Sequence, residues 1–409
     1  MTPKNVDRTL LFLSLCLAVA LGMAFVNDAR ACTTAVVSGQ ATANGRPLLW
    51  KNRDADNKQN QVVYDATGRY PFVGVVNSAD PAGLDIWAGI NAQGFAIMNS
   101  ASYNLDKGDS VAEGQLMRLA LQSCATVEEF QALLDKTDGG RDVMANFGVI
   151  DAKGGAAIFE TGRKAHKRFD ATDPKVAPNG FIVRTNYSDS GDTEDGSGFL
   201  RRERATSLLD ELVKAKALAA PTLLSGPARD VANVRIGSYP AKGLPAGAHW
   251  AYTADSVCRF DTASVALFEG VRPGEDPLLA TLWVIVGQPI TGAAVPVWVR
   301  AARVPSALAP ALKASEMTQA LDAVRTVFYP ETRGELKKFI RADAFAASDS
   351  ALEPRLLKSE AENFRHAEAA LADWRKEAPA PQEVSCLQDQ LAERTLTEIQ
   401  AIAPRAEGK

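Results

Sequence analysis

An uncharged run of 17 residues, Leu10–Val26, follows a basic start at Lys4 and Arg8, and it constrains this chain more than any other feature. That layout is a secretory signal. The run is broken by Asn27, Asp28 and Arg30, and Ala29 and Ala31 then supply the small residues that a signal peptidase reads before its cut. Cut there, the folding chain begins at Cys32 and matures in a periplasmic or extracellular, oxidising compartment. Two rivals share the same residues. An uncleaved anchor is one, because a run of this length sits at the lower limit for crossing a bilayer. A lipoprotein anchored through Cys32 is the other, but the polar spacer with Arg30 and the alanine at position 29 argue against lipidation.

The 409 residues are 46% hydrophobic and 23% charged, ample material for one large core or two moderate ones. Net charge is −4, and the densest basic stretch, Arg201–Arg204, falls in a predicted helix, which disfavours a nucleic-acid role. Beyond the leader lie Cys32, Cys124, Cys258 and Cys386. Four cysteines allow two disulfides, or at most one if Cys32 stays a free thiol, and their spacing lacks the CxxC pairs of a zinc site. No cofactor or metal is implied.

Short strand patterns dominate the first two thirds. Thr34–Val37 and Pro47–Trp50 flank a turn signal at Asn44-Gly45 and predict a hairpin. Pairing symmetric about that turn returns Asp54 and Asp56 to Cys32–Thr34 and sets Asn52, Arg53 and Asp54 beside the new chain end, although a register slip would exchange faces. Asp85–Gly89 with Gly94–Asn99, and Phe147–Asp151 with Ala156–Glu160, predict two more strand pairs. Phe181–Thr185, Ser264–Phe268 and Leu282–Val286 read as further strands. Helices are predicted at Val111–Gln122, after the capping box Thr126-x-x-Glu129, and at Arg201–Leu218. Clustered hairpins with interspersed helices indicate an α+β fold of antiparallel sheets. From Ser306 onward the pattern turns helical, with a Pro-rich break at Ala378–Pro381. The predicted organisation is a signal peptide over 1–31, a main domain over 32–305 and a helical section over 306–409 packed on it.

A cysteine nucleophile needs a base, most often histidine. His166, His249 and His366 are the three histidines of the chain, and each reads as a surface or packing residue. A freed α-amino group on Cys32 is a simpler base, since it titrates near neutrality and belongs to the nucleophile itself. Lys51 or Arg53, delivered by the hairpin, would favour the thiolate. Asp54 would hold the amine by a charge-assisted hydrogen bond. Asn99 and Asn186, at strand ends, are candidate donors to an oxyanion, with plain turn capping as the alternative.

These residues resemble a known family. Cys32-Thr33-Thr34, Asn44-Gly45 and Lys51-Asn52-Arg53-Asp54 are similar to the opening of the choloylglycine hydrolase and acyl-CoA:6-aminopenicillanate acyltransferase-like group of N-terminal nucleophile hydrolases, which includes penicillin V acylases. Gly89–Phe95 leading to Met98-Asn99, then Arg184–Tyr187, Ser256–Arg259, Thr262–Ser264, Gly287–Pro289 and Val295–Val297 follow in the family's order. The resemblance spans about residues 32–300. It implies a four-layer αββα sandwich, a nucleophile at Cys32, an aspartate at Asp54 on the amino terminus, and oxyanion donors at Asn99 and at Asn186. Lys51 stands where bile salt hydrolases carry arginine, and Arg229 and Arg235 are candidates for the family's last active-site arginine.

The implied activity is hydrolysis of a linear amide C–N bond in a small N-acyl substrate through a cysteine thioester. Dipeptide cleavage, acyl transfer to an amine, and a lipidated ligand-binding protein are the alternatives. Loops at Asp54–Tyr70 and Asn186–Gly198 would shape the pockets, with Ser188–Gly198 read as a solvated loop or a lid. The mature chain needs no membrane span, and the oligomeric state is left open, a homo-oligomer included.

Overall fold

The computed structural model describes residues 31–80, 83–106, 112–192, 194–232, 234–235, 250–309, 314–341 and 352–403. The leader up to residue 30 and His249 lie outside them. The chain opens with β1 (Cys32–Val37) and β2 (Leu48–Asp54), antiparallel and fully buried. A seven-stranded meander follows: β3 (Asn60–Asp65), β4 (Phe72–Asn77), β5 (Ala88–Asn91), β6 (Ala96–Ala101), β7 (Ala145–Ile150), β8 (Ala156–Thr161) and β9 (His166–Asp170). Next come β10 (Phe181–Arg184), β11 (Trp250–Tyr252), β12 (Thr262–Glu269), β13 (Thr281–Ile285), β14 (Val295–Val297) and β15 (Phe339–Arg341). The second large sheet has the order β10-β1-β2-β12-β13-β14, and β11 pairs with β15 alone. Both large sheets are antiparallel throughout.

The two sheets pack face to face, with β1 and β2 against β6 and β7. Gly148 shows how closely. A Cβ there would meet Met98 at 2.2 Å, Val36 at 2.8 Å and Leu49 at 3.0 Å, so only glycine lets the strands approach. Helices α1 (Glu113–Ser123) and α2 (Val127–Thr137) cover the outer face of the meander. Thr126 caps α2 as its pattern predicts, accepting from the Glu129 amide at 3.1 Å, while the Glu129 carboxylate reaches back to the amide of Ala125. Phe130 then sits among Phe95, Phe147 and Phe159 at ring separations of 5.3–6.2 Å. Burying each of these rings is worth about 1.5–3 kcal/mol.

Against the other sheet lie α3 (Phe199–Lys214), α4 (Ala220–Ser225), α6 (Leu352–Trp374) and α7 (Pro381–Ile402), with α5 (Glu316–Phe328) packed on α7. The order helix, sheet, sheet, helix is the αββα sandwich. Leu321, Phe328, Phe364, Trp374 and Ile399 from α5–α7 join one apolar core with β1, β2 and β12–β14. No helix among the described residues is long and apolar enough to cross a membrane.

Several readings need correction. β1 and β2 are joined by ten residues rather than a tight turn at Asn44-Gly45, and Cys32 pairs with Arg53. Gly45 does take a left-handed φ of 75°, but inside a longer connection anchored where Asn44 donates to Glu269 at 2.7 Å. Asp54–Tyr70 is not a loop, since β3 lies within it. Cys32, Cys124, Cys258 and Cys386 are all free, so the disulfides that their number allowed are not formed among them.

Candidate active site

β1 and β2 build the site by register. Side chains of directly opposed residues share a face, and faces alternate along a strand. Cys32 opposite Arg53 and Thr34 opposite Lys51 therefore set Cys32, Lys51 and Arg53 on the face toward the meander. Their contacts agree. Lys51 Nζ donates to the carbonyl of Trp87 at 2.9 Å and to Asn99 Oδ1 at 2.7 Å, both across the sheet interface. Arg53 stacks on the Trp87 ring and donates to Asn60 Oδ1 at 3.0 Å. Asn52 faces the other way and ties β2 to Ala228 and Val257 through its amide nitrogen.

The nitrogen of Cys32 points elsewhere. It is a peptide amide here, continuous with Ala31, and it donates to Asn186 Oδ1 at 3.0 Å. The Ala31 carbonyl accepts from the Asp54 amide at 2.8 Å. Arg201 closes the end of β1, with Nη1 on the Cys32 carbonyl at 2.6 Å and on Thr33 Oγ1 at 3.2 Å, and Nη2 on Asn186 Oδ1 at 2.7 Å. Asn186 was expected to offer donors to an oxyanion. Its Nδ2 donates to the Ala101 carbonyl at 3.0 Å, and its oxygen faces Cys32.

Asp54 is buried beside this end. Thr262 Oγ1 donates to its Oδ1 at 2.6 Å, and the guanidinium groups of Arg201 and Arg259 stand 3.8 Å from Oδ2. That second oxygen receives no hydrogen bond among the described residues. Burial, reinforced by the nearby Asp261 carboxylate, pushes the Asp54 carboxyl up to about 7 despite both arginines. Arg259 divides its charge, because its Nε lies 2.8 Å from Asp261 Oδ1. Lys58, held by the carbonyls of Ala55 and Asp261, is lowered to about 8 by burial. At the mouth, burial and the neighbouring Cys32 raise the Tyr103 phenol.

The structure thus gathers Cys32, Lys51, Arg53, Asp54, Asn99 and Asn186 at one end of the two facing sheets. It adds Arg201, Arg259 and Thr262, which reading along the sequence did not nominate. Neither remaining arginine candidate joins them. Arg229 pairs with Glu360 behind β12–β14, and Arg235 lies on the exposed surface. Ser188–Gly198 is also less free than expected: Ser188 bonds Asn146 and Ser102, the amides of Asp189 and Ser190 bond Glu160, and Asn186 bridges to Ser197.

Of the described histidines, His166 is on β9 beside Phe159 and His366 is beside Arg365 on α6. His166 shares with Asp135 and Asp138 the donor cluster most suited to a metal ion among the described residues, away from Cys32.

Residues 41–207 match the family described as acyl-coenzyme A:6-aminopenicillanic acid acyl-transferase. The match covers less than half of the chain, and over these residues the chain is similar to that family. The matched stretch starts after Cys32 and ends before Arg259. Similar solved structures include a conjugated bile acid hydrolase mutant from Clostridium perfringens, at 11% identity and TM-score 0.40, covering 65% of this chain and 92% of that one. An N-acylethanolamine-hydrolyzing acid amidase ortholog from Caenorhabditis elegans is 15% identical with TM-score 0.37, covering 58% and 92%. Penicillin V acylase from Agrobacterium tumefaciens is 14% identical with TM-score 0.37, covering 65% and 86%. No curated protein matches the chain.

Proposed function

We propose that this enzyme hydrolyses a linear amide of a small N-acyl substrate, with Cys32 as nucleophile after cleavage behind Ala31 in the course of export to the periplasm. One observation carries the reading. The Cys32 nitrogen is buried among acceptors, with Asn186 Oδ1 at 3.0 Å and the unspent Oδ2 of Asp54 close to the same strand end. A peptide amide has one hydrogen to offer there. An amine or ammonium has two or three, so the surplus acceptor suits a chain end better than a chain interior.

In the cut chain the amine takes the thiol proton, and the sulfur attacks the substrate carbonyl. The tetrahedral intermediate collapses with loss of the C–N bond, and the amine returns the proton to the leaving nitrogen. Water then adds to the thioester by the same base, giving the carboxylic acid and the free thiol. Lys51 and Arg53 share the thiol's face of the sheet and favour thiolate. Lys51, by donating to Asn99 Oδ1, turns the Asn99 amide so that its NH₂ group is the end left for an oxyanion. Asp54 and Asn186 hold the amine.

The test is direct. Mass spectrometry of the purified protein should show a chain beginning at Cys32 with a free thiol. Cys32→Ala should reduce turnover of the active member of a panel containing penicillin V, conjugated bile acids, N-acyl homoserine lactones and dipeptides by at least about 10³-fold. A diacylglyceryl mass on Cys32, or near-normal turnover in the alanine variant, would sink the reading. Because the matched family is named for acyl transfer, amine acceptors belong in the same assay: acyl-amine products that displace the acid would make transfer the main activity.

A further inference from the structure

We propose that Arg201 is a positioning residue for the amino end of Cys32: its guanidinium locks Asn186 with the amide oxygen toward the Cys32 nitrogen, which keeps the freed amine's lone pair available to the thiol. The inference rests on the reading of Cys32 as an N-terminal nucleophile.

Where Arg201 sits is unfavourable for a cation in two ways. Its side chain is 2% exposed, and it occupies the first turn of α3, where the helix dipole is positive and no acidic residue shares that turn. The position is held by what the fork touches. Nη1 fixes the Cys32 carbonyl, so the residue cannot swing about its own backbone, and Nη2 donates to Asn186 Oδ1. At the far side of the same amide, the Ala101 carbonyl accepts from Nδ2. Both partners therefore demand one orientation of the Asn186 amide.

That orientation decides what the amine can do. A neutral amine has two hydrogens and one lone pair. Facing an oxygen, it donates a hydrogen to Asn186 and keeps the lone pair. Facing the NH₂ of a flipped amide, it would accept, and the lone pair needed to receive the thiol proton would be occupied. Arg201 makes the flip costly, because a flipped Asn186 would present NH₂ to a guanidinium.

Charge acts in the same direction. Lys51 and Arg53 from β2, Arg201 from α3 and Arg259 from the turn before β12 oppose a proton on the amine. Asp54 and Asp261 favour one, and the Tyr103 phenol is neutral below its raised range. Removing Arg201 tips this set toward the ammonium. Gly198 supplies a separate handle on the same geometry. It holds a φ of +88°, and a Cβ there would lie 2.4 Å from Arg201 Nη2 and 2.8 Å from its Cζ, so the glycine is what leaves room for the guanidinium.

The experiment compares mature wild-type enzyme, its amino terminus checked by mass, with Arg201→Met, Arg201→Lys and Gly198→Ala, measuring kcat, KM and the pH dependence of kcat/KM. Arg201→Met should lose about 10–100-fold in kcat at nearly constant KM. Its acid limb should move upward by about one pH unit. Arg201→Lys keeps the charge without the fork, so the acid limb should stay while kcat still falls. Gly198→Ala, which keeps the guanidinium but displaces it, should follow Arg201→Lys and decides the matter if Arg201→Met does not fold. Loss of kcat in both Arg201→Lys and Gly198→Ala supports the proposal. Wild-type kcat and pH profile in either overturns it, as does a loss that appears wholly in KM. A parallel Cys32→Ala control separates the two levels. If that variant stays active, the nucleophile reading itself has failed; if it is inactive while the arginine and glycine variants behave as wild type, only the positioning role has.

Discussion

Two buried arginines at comparable depth do opposite things. Arg229 meets the Glu360 carboxylate with both Nη atoms at 2.9 Å, and the second hydrogen of each Nη goes to the carbonyl of Leu224 or Gly292. Glu360 in turn accepts from the Ala294 amide at 2.8 Å. Every charge there is matched, and the pair bolts α6 to β14 and to the turn after α4. Arg201 has no such carboxylate; its nearest, Asp54, stands 3.8 Å off with one oxygen unspent. A closed network rigidifies, whereas a network with a spare acceptor is poised to take something up. The residues proposed for the chemistry collect around the open one.

Breaking the closed pair should produce the largest effect on folding. Glu360→Ala leaves a guanidinium buried without its partner, and a loss of about 3–5 kcal/mol in denaturant titration is expected. Replacing both members together, Arg229→Met with Glu360→Leu, should recover most of that loss, while kcat of the folded fraction stays at the wild-type value in both. A drop in kcat that survives the double replacement would erase the distinction between the two arginines.

The open network should instead show itself through pH. Asp54 holds its proton up to about 7 in the uncut chain, while an unfolded aspartate releases it near 3.8. Below 3.8 both states are protonated. Between the two values only the folded state keeps the proton, so stability falls as pH rises from about 4 to 7 and is level above that. The span is on the order of 1–4 kcal/mol. Asp54→Asn in a chain kept uncut at Ala31 should flatten this slope. Cleavage should do the same, since a new ammonium beside Asp54 favours the carboxylate. An uncut chain whose stability rises over that range would show that Arg201 and Arg259 dominate Asp54 after all.

How much of this was legible in the sequence follows from distance along the chain. Cys32, Lys51, Arg53 and Asp54 lie on one hairpin, and strand alternation reaches them even with the turn misplaced. β5 and β6 were visible because Asn91–Gln93 reads as a turn between apolar runs. β9, with the residues His-Lys-Arg-Phe-Asp, is a charged edge strand that lacks an apolar alternation and so escaped notice. β3 was hidden by the polar Asn60 and Gln61 at its start, which are buried here. Arg201 was harder still. It is followed by Arg202 and Arg204, and nothing local separates the three. Helix geometry sends them apart: Arg202 pairs with Asp189, Arg204 with Asp230, and only Arg201 turns inward to Cys32. The hint was Gly198, whose missing side chain makes the space.

Thr262 offers the smallest and sharpest test of the open network. Its hydroxyl donates to Asp54 Oδ1 at 2.6 Å, and β12 bulges between Thr262 and Ser264 beside that contact. A hydroxyl supports an ionised carboxylate more than a neutral one, by about 1.5–3 kcal/mol against 0.5–1.5. Thr262→Val keeps the shape and removes the donor. Stability of the uncut chain should therefore drop by about 1 kcal/mol more at pH 8 than at pH 4, and the pH-dependent loss should extend to higher pH as Asp54 clings to its proton. The same substitution should leave the effect of Glu360→Ala unchanged, because the Arg229 pair shares no partner with Asp54. Equal losses at both pH values would mean that the hydroxyl serves strand packing alone, and that the carboxylate beside Cys32 is held by its arginines in the manner of the closed pair.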